Sequence, residues 1–104
     1  MENTAFVGTE VKYLVKIESC GFDQATDDFD IILKRGTVTR TFHKADLVEE
    51  TTASGKNYYL CFDTTDFGPG NITCIVKAYV PDNDFQDGIR TEIDKFPLLT
   101  DIAL

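Results

Sequence analysis

The chain has 104 residues, room for one compact domain and too few for two independent cores. An apolar fraction of 42%, with eight Phe and four Tyr, is that of a packed globular protein, and no apolar run is long enough to span a bilayer. Eighteen Asp and Glu against ten Lys and Arg leave a net charge of −8, which repels polyphosphate backbones and anionic membranes, so neither nucleic acid nor membrane is an expected partner.

The first ten residues lack the basic start and apolar run of a secretory signal, which points to synthesis in the cytosol, and they read as a short arm carrying Phe6 and Val7. Alternation begins at Val11: Val11, Tyr13, Val15 and Ile17 share one face while Lys12, Leu14 and Lys16 share the other, the pattern of a half-buried strand. Ser19 to Asp28, rich in Asp, Gly, Ser and Thr, is a connection. Phe29–Lys34 and Thr37–His43 flank Arg35-Gly36 and predict a hairpin, with Lys34 opposite Thr37, Leu33 opposite Val38, Ile31 opposite Arg40 and Phe29 opposite Phe42. Arg40 would then snorkel at an edge.

Lys44 to Glu50 breaks the alternation and reads as one helical turn crossing between sheets, followed by a loop over 51–56. Period two resumes from Asn57 to Asp63, the Phe67-Gly68-Pro69-Gly70 cluster predicts a turn, and Asn71 to Val80 is the most strand-like stretch of the chain. Pairing across that turn would set Leu60 opposite Cys74 and Phe62 opposite Ile72, both inward, with Cys61 outward. An acidic loop over 81–88 precedes a further strand at Ile89–Phe96. Together these predict an all-β, immunoglobulin-like antiparallel sandwich of about seven strands in two sheets, with one short helical crossover and a single domain spanning 1–104.

No residue set composes an active site, so the expected function is non-enzymatic and no cofactor is implied. His43, the only histidine, has no evident nucleophile arranged beside it. Three cysteines cannot all pair within one chain, and the inward and outward parities of Cys74 and Cys61 argue against a bridge between them. Asp82, Asp84 and Asp87 are a weak calcium candidate, because neither the glycine nor the glutamate of a calcium-binding loop falls in its place, and a solvated loop carrying Phe85 is the simpler reading. Asn71-Ile72-Thr73 is a glycosylation sequon without a secretory route to use it. The tail over 97–104 holds Leu98, Leu99, Ile102 and Leu104, which need cover: either a last strand completes the domain's own sheet or the tail docks on a neighbouring subunit. Those four residues and Phe85 are the candidate interaction residues.

Tyr58-Tyr59-Leu60-Cys61-Phe62-Asp63-Thr64, the turn Phe67-Gly68-Pro69-Gly70-Asn71-Ile72-Thr73 and the stretch Val80-Pro81-Asp82 to Glu92 resemble small sandwich proteins of phages and prophages of Bacteroides-type gut bacteria. These are similar in turn to the N-terminal domain of the phage baseplate upper protein, over roughly residues 10 to 95. The resemblance implies a virion part, assembled in the bacterial host cytoplasm: an accessory or adaptor that decorates or connects capsid, fibre or tail components. Its expected partners are other virion proteins, in a homo-oligomer or larger assembly. The alternative is a carbohydrate- or host-surface-binding module using Tyr59, Tyr79 and the loop at Asp82–Asp87.

Overall fold

The computed structural model of the chain describes residues 6–102, with Thr100 and Asp101 by backbone alone, and Leu104 lies outside the described residues. Seven strands run in the order β1 (Glu10–Val15), β2 (Phe29–Arg35), β3 (Val38–His43), β4 (Val48–Thr52), β5 (Gly55–Asp63), β6 (Gly70–Pro81) and β7 (Ile89–Ile102). They form two antiparallel sheets, β1-β5-β4 and β3-β2-β6-β7. Short 3-10 turns at Lys44–Asp46 and Thr64–Asp66 carry the chain from one sheet to the other. The fold is therefore the expected all-β two-sheet sandwich. Its strand order is that of an immunoglobulin-like domain, in which the second and fifth strands of the motif pair in one sheet while the third pairs with the sixth in the other.

The core follows from the alternation in β2, β5 and β6. Phe29, Ile31 and Leu33 point inward from β2, Tyr58 and Leu60 from β5, and Ile72, Cys74, Val76, Ala78 and Val80 from β6. Each is buried, whereas the residues between them are half-buried or exposed. Phe29 meets Tyr58 edge-on across the sheets with ring centroids 5.8 Å apart, and Phe62 meets Phe67 in the same way at 5.7 Å. Such contacts add about 0.5–1.5 kcal/mol beyond the area they bury. Lys44 covers one end of this aromatic cluster, its Nζ lying 5.1 Å from the Tyr58 ring centre while donating to the carbonyls of Ala25 and Asp27.

Three sequence expectations need correction. The β2–β3 hairpin turns at Gly36-Thr37 rather than Arg35-Gly36, so Arg35 faces Val38, Leu33 faces Arg40 and Ile31 faces Phe42. Gly36, with φ of 54°, takes the first loop position, and this two-residue slip keeps every side chain on its expected face. Next, β5 and β6 are not a hairpin. β5 pairs with β1 and β4, while β6 pairs with β2 and β7, because the Thr64–Asp66 turn takes the chain across the sandwich; Leu60 and Cys74 both point inward from opposite walls. Finally, the predicted loop over 51–56 is the tip of a second hairpin, in which Val48 pairs with Tyr59 and Thr52 with Gly55.

β7 is longer than its alternation suggests. Its partners on β6 run regularly from Pro81 opposite Ile89 to Thr73 opposite Pro97, then slip so that Ile72 faces Leu99 and Gly70 faces Ile102. Each of the two slips adds one residue on β7: the first leaves Leu98, inward by the same parity as Phe96, unmatched on β6 and turns Leu99 inward opposite Ile72, and the second brings Ile102 into the core opposite Gly70. Pro97, which lacks an N–H, sits where the ladder changes register.

The crossing from β5 to β6 depends on one buried hydroxyl. Thr64 is fully buried; its Oγ1 accepts from Gly8 N at 3.0 Å and donates toward the carbonyls of Phe6 and Thr9 at 3.2 and 3.1 Å, while its own N–H donates to Thr9 O. Thr64→Val keeps the shape and strands the Gly8 N–H, so urea unfolding should show a loss of about 1–3 kcal/mol with an unchanged slope. A loss below a few tenths of a kcal/mol would show that this junction does not hold the N-terminal arm to the sandwich.

Candidate functional site

The candidate interaction residues separate into two environments. Leu98 and Ile102 are core residues of β7 and Leu99 packs against the core, so these three sit in the domain's own sheet. Phe85 is 48% exposed at the tip of the β6–β7 loop. That loop closes on itself through Asp82 N donating to Gly88 O and Gly88 N donating to Phe85 O. Asp82 accepts from Asp84 N and from Arg90 Nε, so its carboxylate is spoken for by the loop and by β7. Asp84 and Asp87 are exposed, and among the described residues no group of three or more His, Cys, Asp or Glu side chains converges as a metal-binding set.

The outer face of the β3-β2-β6-β7 sheet carries a charge unlike that of the whole chain. Register places His43, Asp30, Lys77 and Ile93 in one row, and Thr41, Ile32, Ile75 and Lys95 in the next, with Lys34 beyond. Three lysines and one carboxylate therefore stand on this face of a protein with net charge −8. Ile93 at 64% exposure and Ile89 at 46% add apolar surface beside them.

Asp30 organises that face. One carboxylate oxygen lies 2.7 Å from His43 Nδ1 and the other accepts from the Tyr79 hydroxyl at 2.6 Å. Burial alone would raise the Asp30 pKa; the hydrogen bonds from Tyr79 and His43 outweigh it and hold the carboxyl below the usual range. The same hydrogen bond to Asp30, with burial behind it, pushes Tyr79 up to about 12, and the Asp30 carboxylate raises His43. Neither the sequence spacing nor any motif marks this trio, because its members come from three strands.

The sign of the linkage follows from these directions. The raised His43 pKa contributes stability that is fully present below about 6.5 and is lost as pH rises through the folded value. The lowered Asp30 pKa contributes stability present above about 3.9 and lost as pH falls through its folded value. The melting-temperature gap between the native chain and His43→Ala should thus be wider at pH 5.5 than at pH 8.5; an equal gap at both would disprove the coupling.

The two tyrosines of the carbohydrate reading lie on opposite outer faces and do not form one platform. Tyr59 faces outward from β5, covered by Lys12 Nζ 4.5 Å above its ring and bonded to Glu50, whereas Tyr79 faces outward from β6 and is held by Asp30. The three cysteines are free: Cys20 and Cys61 are exposed and Cys74 is buried, where burial and then the Asp94 charge push its thiol up to about 12. At pH 8 a maleimide should label Cys20 and Cys61 within minutes and leave Cys74 unmodified until denaturant is added, as read by intact-mass spectrometry. Rapid native labelling of all three would contradict the buried setting of Cys74.

The β4–β5 hairpin is the feature that sequence reasoning missed most fully. β4 packs on β5 and on no other element to a comparable extent, and from Val48 to Lys56 every residue except Thr52 is exposed. β5 pairs with β1 only from Tyr58 onward, so the hairpin runs past the end of β1 as a two-stranded projection. The Ala53-Ser54-Gly55 turn with flanking Thr and Lys was the available signal. Set against known proteins, the chain matches no family model, no curated protein and no solved structure.

Proposed function

We propose that the chain is a non-enzymatic assembly domain, an accessory or adaptor part of a phage virion that connects or decorates capsid, fibre or tail components. The observation that carries this reading is the β4–β5 hairpin. A two-stranded hairpin standing clear of a core is marginal in water, and this one adds no buried apolar side chain between Val48 and Lys56. Its use lies outside the domain, where an ordered arm with a free outer edge on β4 can meet a partner.

Two further features support a role in joining proteins. The lysine- and isoleucine-bearing outer sheet face has the mixed apolar and charged make-up of a protein contact, and Phe85 and Phe6 stand exposed on loop and arm. The virion setting rests on the resemblance of the Tyr58–Glu92 stretch to phage sandwich proteins.

Mass spectrometry of purified particles tests the setting directly, and absence of the chain from them would defeat it. The arm is tested by replacing Glu50 to Asn57 with an Asn-Gly turn between Glu49 and Tyr58. The expected outcome is a folded domain, its melting temperature changed by only a few degrees, that is no longer incorporated into particles. Normal incorporation would remove the hairpin from the account.

A further inference from the structure

The side of the sandwich where β1 and β7 are both edge strands holds a cleft of about 320 Å³ between them. Its floor is apolar, formed by Val15, Ile17, Val76, Ala78 and Phe96. Its rim is acidic. Glu92 faces Ala78 and Asp94 faces Val76 across the β6–β7 ladder, so these two carboxylates point to the inner side of β7, where core residues stand on the neighbouring strand. Glu18 joins them from the segment that follows β1. One end of the cleft is closed by Ser19 donating to Glu92, and the other by Tyr13 and Phe96, whose ring centres lie 6.3 Å apart.

Beside this cleft, the outer edge of β7 from Glu92 to Phe96 pairs with no described strand, and Lys95 N donates to the neighbouring Asp94 carboxylate at 2.9 Å. Alternate backbone N–H and C=O groups of an edge strand point away from its one neighbour and are open to a further strand. A strand laid there would direct every second side chain into the cleft.

We propose that the β1/β7 side is an acceptor groove for an extended peptide segment of a partner protein, one that carries a lysine or arginine two residues from a branched aliphatic residue. The basic side chain reaches Asp94 and competes with Arg90 for Glu92, the aliphatic one packs on the half-buried Ile17 and Phe96 beside Val76, and the backbone extends the β3-β2-β6-β7 sheet. The inward carboxylates also select against the simplest rival occupant: a second copy of β7 aligned antiparallel around Glu92 and Asp94 would set carboxylate against carboxylate. This inference deepens the assembly reading by naming the chemistry of one partner.

The probe is an end-capped nine-residue peptide alternating threonine with lysine and valine, titrated into the full chain by calorimetry and by backbone NMR. Binding is expected, with the largest amide shifts over 92–96. Exchanging lysine for glutamate in the peptide, or Glu92→Gln with Asp94→Asn in the protein, should weaken it about tenfold, and so should raising salt to 0.5 M. N-methylation of alternate peptide nitrogens should abolish it, since that removes the N–H donors strand pairing needs and leaves every side chain in place. Asp94→Asn by itself, at an exposed position, keeps the charge test valid should the double variant fold poorly. No binding, equal binding of the lysine and glutamate peptides, tolerance of N-methylation, or equal binding by a capped lysine alone would each overturn the groove. The outcomes separate from those of the assembly reading: a virion protein that ignores the peptide loses only the groove, and a peptide binder absent from particles loses only the virion setting.

Discussion

The strict alternation of β6 is the constraint on which the rest of the sandwich depends. Five successive inward positions, from Ile72 to Val80, are all buried, and both neighbours in the sheet take their register from this one strand. A shift of β6 by one residue would expose that whole set and bury Thr73, Lys77 and Tyr79 in its place. The opposing wall is narrower, because Tyr58 and Leu60 on β5 and Val15 on β1 supply its fully buried side chains. The aromatic contact between Phe29 and Tyr58, with Lys44 over its open end, binds the two walls where the sheets meet.

Against this regular wall, β7 departs from period two, and the departure explains its double character. From Arg90 to Asp94 its inner face is charged, and from Phe96 to Ile102 it packs with the core. The two register slips after Pro97 allow both, since they add Leu99 to the inward residues without ending the strand. One strand thus closes the core at one end and leaves an acid-lined opening at the other.

How much of this was legible in the sequence depended on whether the signal was local. Alternation identified the inward residues of β2, β5 and β6 and the free state of Cys61 and Cys74, and a two-residue slip in the first hairpin changed none of those faces. Partnership was less legible. The Thr64–Asp66 turn looks like any tight connection, and nothing near it says that the chain crosses to the other sheet rather than folding back. The tail residues offered two readings because the spacing of Leu98, Leu99, Ile102 and Leu104 fits no single period, and the first three find their places only through the register slips. The Asp30, His43 and Tyr79 trio and the inward carboxylates of β7 arise only from cross-strand register. The projecting hairpin was hidden because Val48–Thr52 is short, polar and acidic, and it is held by its ladder on β5 and by cross-strand bonds such as Asn57 to Glu50 and Tyr58 to Glu49 rather than by burial.

The pairing of β1 with β5 has a consequence for how the chain reaches this structure. Val15 meets Tyr58 and Glu10 meets Asp63, partners more than forty residues apart, while β2 and β3 meet through a two-residue loop. Closing the long loop carries its entropic cost before any contact rewards it, so topology of this kind folds slowly for its size. On a ribosome, β1 emerges before its partner β5 and waits, its Val11, Tyr13 and Val15 uncovered until the middle of the chain has followed. Lys12 within β1 and Lys16 just past its end, both exposed in the finished fold, then keep this uncovered apolar strand from pairing with another copy of itself.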